Sequence, residues 1–262
     1  MVSVPALAAI SFTATGSGNR NASASFDIVS GKLQVTLTNN ATAGSSTGGD
    51  WVPIDILSGL FFNVSGGTSG ILAKDATSTS RVSEFTTSGA ETTIYAPGRD
   101  IGSEWAAKTG SITSGSVTVA GVNVGLASAG LGGAFGSGDV IGNDADGADI
   151  QGIGGTPPDG LAYSIIGGSS SNYDNNGGVA NRSLVKGTAT FLFDVPLGFT
   201  LSQINYVVFN YGTALGEGGL LTCDSTTKPC TTEITLVPAP GSLALAGLAL
   251  LSLAGLRRRA VR

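Results

Sequence analysis

From Ser23 to Thr38 the chain alternates apolar and polar residues with a period of two. "SASFDI" (Ser23 to Ile28) and "KLQVTLT" (Lys32 to Thr38) are joined by "VSG", a hairpin signal. In the second run Leu33, Val35 and Leu37 fall on one face, and Lys32, Gln34, Thr36 and Thr38 on the other. That is the pattern of a strand with one buried face. The same texture recurs in "GLFFNV" (Gly59 to Val64), "ETTIYA" (Glu91 to Ala96), "GSVTVAGVNVGL" (Gly115 to Leu126) and "KGTATFLFDV" (Lys186 to Val195). "INYVVFNYG" (Ile204 to Gly212) and "TEITLV" (Thr232 to Val237) complete the set. Thr, Val and Phe fill these runs, while Gly, Asn and Ser separate them. "SEWAAK" (Ser103 to Lys108) reads as a single turn, and no long helical period precedes the last 26 residues. The expectation is an all-β fold, a β-sandwich of jelly-roll-like or Ig-like kind, formed by one domain over residues 10–236. Gly125 to Gly178 is the least strand-like region. It is too long for a structureless loop, so short strands are expected around "DGLAYSIIGG" (Asp159 to Gly168).

The two ends break this pattern. The chain closes on "VPAPGSLALAGLALLSLAGLRRRAVR", residues 237–262. Gly241 to Leu256 are sixteen uncharged residues with no amphipathic stripe, which argues against the alternative of a buried core helix. As a separate C-terminal hydrophobic helix they would span about 24 Å, against roughly 30 Å of bilayer hydrocarbon. Insertion then requires a thinned bilayer and snorkelling arginines. Arg257, Arg258 and Arg259 act as a basic stop that stays cytoplasmic and leaves residues 1–240 outside. At the other end, residues 1–9 read as the remnant of an N-terminal signal sequence. "ALAA" (Ala6 to Ala9) has the form of a cleavage site, but no basic residue precedes it and the apolar stretch is short. The true start is therefore expected upstream.

Composition narrows the chemistry. There are 41 glycines, and charged residues make up 12%, about half the usual share. The net charge is −5 and the isoelectric point about 4.6, which excludes nucleic acid as a partner class. Cys223 and Cys230 enclose "DSTTKP" and are the chain's two cysteines. They read as one disulfide formed in an oxidising compartment, with two reduced thiols as the alternative. Zinc lacks further ligands, because the chain has no His and no other Cys.

Catalysis finds little footing. No His is present to act as base, "GxSxG" does not occur, and Lys32, Lys74, Lys108, Lys186 and Lys228 sit in strand- or loop-like stretches. The Gly-rich stretches lack the Gly-Lys-Ser/Thr ending of a phosphate loop. Asp144, Asp146 and Asp149 in "GDVIGNDADGAD" form a candidate calcium site, although the EF-hand spacing fails and a solvated acidic turn is the alternative. No catalytic residue is assigned and no other cofactor is expected. The competing class is a carbohydrate-binding, lectin-like or carbohydrate-active domain. It would need an exposed aromatic platform, for which Trp51, Trp105, Tyr163 and Tyr173 are the candidates.

Taken together, Val237, Pro238, Ala239 and Pro240, the apolar run Gly241 to Leu256 and the cluster Arg257 to Arg259 resemble the PEP-CTERM sorting signal of exosortase substrates. Ala239 stands where that family has Glu. The resemblance implies an exported protein held transiently in the inner membrane. A membrane-embedded, exosortase-type transpeptidase would then recognise the Pro-Ala-Pro element and remove the helix. It also implies a final place at the cell surface or outside the cell, in association with exopolysaccharide or biofilm. The hairpin of residues 23–38, followed by the run Leu57 to Phe62, is similar to the opening of β-rich ectodomains in the same family. The reading that follows is a non-enzymatic surface or extracellular-matrix protein, with an extracellular polysaccharide as the implied partner.

Overall fold

A computed structural model of the chain describes residues 9–45, 51–86, 90–114, 117–129, 160–168, 179, 181–217, 220–224 and 231–235. These residues form an all-β structure whose strands lie in two large sheets and one small hairpin. The strands are β1 (Ala9–Thr15), β2 (Asn21–Val29), β3 (Lys32–Asn39), β4 (Leu57–Val64), β5 (Leu72–Ser78) and β6 (Val82–Phe85). They continue with β7 (Glu91–Tyr95), β8 (Ala106–Thr109), β9 (Thr113–Ser114), β10 (Val117–Thr118), β11 (Val124–Ala127) and β12 (Ile165–Ile166). The last are β13 (Ser183–Lys186), β14 (Thr188–Asp194), β15 (Ile204–Tyr211), β16 (Leu220–Asp224) and β17 (Thr231–Thr235).

The first sheet runs β17–β1–β2–β3–β14–β5. At its centre β2 and β3 pair from Ala22↔Asn39 to Val29↔Lys32. Their two-residue turn places Ser30 at φ 53° and Gly31 at φ 79°. Two left-handed residues make a type I′-like turn, whose twist matches that of the strands it joins. Leu33, Val35 and Leu37 are fully buried, as the alternation requires.

The second sheet runs β16–β15–β4 and then forks. The free edge of β4 pairs with β11 from Gly59 to Phe62 and with β12 at Leu57. One branch continues from β11 to β8, the other from β12 through β13 and β6 to β7. The β12–β13 pairing is parallel.

One core lies between the two sheets. Phe12 and Phe26 meet edge to face at 5.8 Å, Phe26 and Phe62 at 5.2 Å, and Phe62 and Phe193 at 6.1 Å. Phe62 comes from the second sheet and the other three from the first, so its ring wedges across the gap. Edge-to-face pairs of this kind add about 0.5–1.5 kcal/mol each beyond their buried area. The back of the second sheet is covered as well. Phe61, Ala127 and Val208 pack there against Ile112, Val119 and Leu215. Further along, Trp51, Ile56, Phe85, Leu161 and Leu184 form another cluster. The strand β4 therefore has apolar neighbours on both faces, and its run of buried residues replaces the simple alternation of β3.

Three expectations change. The run Gly115 to Leu126 is two strands, β10 and β11, because a left-handed Gly121 (φ 78°) turns the chain between them. The run Lys186 to Val195 is also divided. Lys186 ends β13 in the second sheet, Thr188 opens β14 in the first, and Gly187 (φ 88°) carries the chain from one sheet to the other. "SEWAAK" splits between a 3₁₀ turn at Gly102–Glu104 and the strand β8. The short strand β12 falls within Asp159 to Gly168, where short strands were expected. The hydrophobic segment Gly241 to Leu256 and the boundary at 237 lie outside the described residues. Among the described residues no helix is long and apolar enough to cross a membrane.

Candidate functional site

The crossing at Gly187 shapes an open cleft of about 780 Å³ at one end of the first sheet. The ends of β3, β5 and β14 and the start of β6 converge there. Thr38, Asn40, Thr79, Arg81, Lys186 and Thr188 supply its polar lining. At its floor Gly187 faces Gly168, and a Cβ added to Gly187 would reach only ordinary contact, 3.5 Å from the Gly168 Cα. The neighbouring Gly167 is tighter still, since a Cβ there would meet the Ala41 carbonyl and the Trp51 ring. Glycine is required at Gly167 by close approach and at Gly187 by its positive φ.

Below the cleft lies a charged cluster. The Lys186 side chain is 2% exposed, and its Nζ donates to Glu91 Oε2 at 3.1 Å. Glu91 Oε1 accepts from Arg81 Nη2 at 3.0 Å, Arg81 Nε at 3.3 Å and Ser83 Oγ at 2.7 Å. The Lys186 ammonium also sits 5.5 Å from the centre of the Phe85 ring. Strand pairing produces this arrangement. Register in the β6–β7 hairpin sets Phe85 opposite Glu91. The Lys186 N–H then donates to the Arg81 carbonyl at 3.0 Å, placing the two cations side by side. Burial raises the Glu91 carboxyl, but the Ser83 hydroxyl and the Lys186 and Arg81 cations outweigh it, leaving the carboxyl below its ordinary value. Burial lowers the Lys186 ammonium, with Glu91 partly offsetting it. Among the described residues the cluster sets two cations, Lys186 and Arg81, against the Glu91 carboxylate, in a chain of net charge −5.

The cleft opens onto the outer face of the first sheet. Register sets Thr13, Ser23, Thr38 and Thr188 in one cross-strand row, and Ser11, Ser25, Thr36, Thr190 and Thr77 in the next. Such rows stand about 4.8 Å apart across strands and about 6.8 Å along them. Some hydroxyls pair with each other, as Thr38 with Thr188 at 3.1 Å and Thr79 with Thr190 at 2.8 Å. Charge enters in the following row, Asp27, Gln34, Leu192 and Asp75, and continues at the far end of the face, where Lys32 and Lys74 flank Asp194.

The described members of the candidate aromatic platform do not form one. Trp51, Trp105 and Tyr163 are buried at 0–1% exposure. Trp105 Nε1 donates to the Tyr163 carbonyl at 3.1 Å, and its ring packs on Phe191. These rings are larger than anything else available to fill the core, so hydrophobic burial claims them. Tyr173, the calcium candidates Asp144, Asp146 and Asp149, Cys230, and the sorting residues Val237 to Arg259 lie outside the described residues. Cys223 is buried on β16 and disulfide-bonded. Among the described residues no group of three His, Cys, Asp or Glu side chains converges in the manner of a metal site. Sequence reasoning did not single out Arg81, and it set Lys186 aside as a residue of a strand-like stretch. Lys186 has the alternation of an ordinary strand lysine, and only pairing with a residue 95 positions earlier reveals its burial. No protein-family model, curated protein or solved structure matches the chain.

Proposed function

We propose that the chain is an exported, non-enzymatic surface or extracellular-matrix protein. In this reading its two sheets form an Ig-like or jelly-roll-like sandwich that an exosortase-type transpeptidase releases from the inner membrane. The observation that carries the reading is the order of three unlike elements at the C-terminus. Pro238-Ala239-Pro240 is followed by the uncharged run Gly241 to Leu256 and then by Arg257 to Arg259. Two cross-strand rows of uncharged hydroxyls suit a matrix role, because they give weak contacts that repeat across the strands and change little with salt.

Mass spectrometry of the mature C-terminus, in cells with and without the transpeptidase, tests the sorting step. The expected product ends at or beside residues 237–240 only when the transpeptidase is present. A mature chain that still ends at Arg262 in both would overturn it. The second reading, a carbohydrate-binding domain, is favoured by the hydroxyl- and amide-lined cleft. It does not extend to ring stacking on Trp51, Trp105 or Tyr163, which have no exposed surface to offer.

A further inference from the structure

We infer that the cleft beside Gly187 binds a carboxylate-bearing saccharide, with Arg81 meeting the carboxylate and the surrounding threonine and asparagine groups meeting the sugar hydroxyls. This deepens the second reading above and is independent of the C-terminal signal.

Size supports the inference first, since about 780 Å³ falls within the range of small-ligand sites and well beyond the needs of a single small anion. The lining supports it next. Thr38, Thr79, Thr188 and Asn40 both donate and accept hydrogen bonds, as a polyhydroxylated ligand requires. A neutral sugar is ordinarily held against an aromatic face. Among the described residues no aromatic side chain lines this cleft, and none is among the exposed large hydrophobics. A charged group can take the place of a stacking face.

Arg81 is the group that can do so. Its side chain is half exposed, at 49%. Glu91 holds it through Nε and Nη2, which fixes the plane of the guanidinium. Arginine carries five N–H donors, so this arrangement leaves its Nη1 side for a ligand. Lys186 lies directly beneath at 2% exposure and balances the Glu91 charge, so that Arg81 presents a net positive group to the cleft. A prepositioned guanidinium loses less entropy on meeting a carboxylate than a mobile lysine would.

The test is calorimetric titration of the full chain, held in a mild detergent, with a galacturonic acid oligosaccharide. A neutral glucan oligosaccharide of equal length and inorganic sulfate serve as parallel titrants. Binding of the acidic oligosaccharide is expected, weakening as salt rises, with little heat from the neutral one. Arg81→Met should weaken it about tenfold or more, the loss of one charge-assisted fork. Arg81→Lys, which keeps the charge but not the fork, should fall between. Lys74→Met, beside Asp194 at the far end of the outer face, should leave binding unchanged. Thermal unfolding of each variant confirms that it folds, and the Lys variant keeps the test open if the Met variant does not. Equal affinity for the neutral oligosaccharide, sulfate matching the saccharide mole for mole, or no binding at millimolar ligand would each overturn the assignment.

Discussion

Replacing Glu91 by Gln keeps the side chain's shape and removes its charge, which isolates the electrostatic role of the cluster. The partners respond unequally. Arg81 is 49% exposed and recovers much of its solvation from water, whereas Lys186 at 2% exposure cannot. Removing one member of a buried ion pair costs about 3–5 kcal/mol. The cleft lies just above Lys186, so the lower end applies, about 3 kcal/mol. The converse substitution, Lys186→Met, should cost less, about 1–2 kcal/mol, because Glu91 keeps Arg81 and Ser83. The double variant should cost less than the sum of the singles, since neither charge is left behind. For a chain of this size each kcal/mol moves the melting midpoint by about 2–4 °C, so Glu91→Gln should lose roughly 6–12 °C. Calorimetry, checked by urea unfolding with unchanged slope, measures both. The reasoning fails if Glu91→Gln stays within about 1 kcal/mol of the parent, or if Lys186→Met proves the more damaging substitution.

Two further outcomes follow from the same structure. Phe62→Ala removes the ring that touches Phe26 and Phe193 and should cost about 3–5 kcal/mol in urea unfolding. Leu192→Ala, on the outer face of the adjoining sheet, should cost well under half of that, and equal costs would contradict the assignment of faces. Stability should also fall in acid as Glu91 protonates. Its folded pKa lies below the unfolded one, so the unfolded chain takes up the proton first. The contribution is complete above the unfolded value and is lost below about pH 4 as the pH falls through the folded one. Lys186 acts at the other end of the scale. With its folded pKa lowered, stability rises as the pH climbs from the folded toward the unfolded value. Urea midpoints measured across pH should show both slopes, and Glu91→Gln should flatten the acid one.

How much of this was legible in the sequence depended on how many faces of each strand are buried. β3 buries one face, so Leu33, Val35 and Leu37 stand out against Gln34 and Thr36. β4 buries both, and its run of apolar residues shows a strand without showing which side faces the main core. Breaks inside β-rich runs were harder to read. Gly121 and Gly187 look like ordinary small residues in a strand, and only their positive φ values show that the chain turns or changes sheets there. The cleft was the least legible element. Arg81, Glu91 and Lys186 are spread over more than a hundred positions of the chain, and only register across β6, β7 and β13 brings them together. The tryptophans misled for a related reason. In a chain with few aromatics, an isolated ring beside polar residues has the pattern of a surface platform, although the core has first claim on it.

The burial of those two rings also gives the protein a pair of internal optical probes. Trp105 lies between the two sheets against Phe191, while Trp51 lies behind the second sheet with Phe85 and Leu161. Their emission should be blue-shifted in the native state, and each shifts red only when its own layer admits water. Variants that keep one tryptophan at a time would therefore show whether the central layer and the outer layer melt together or one after the other.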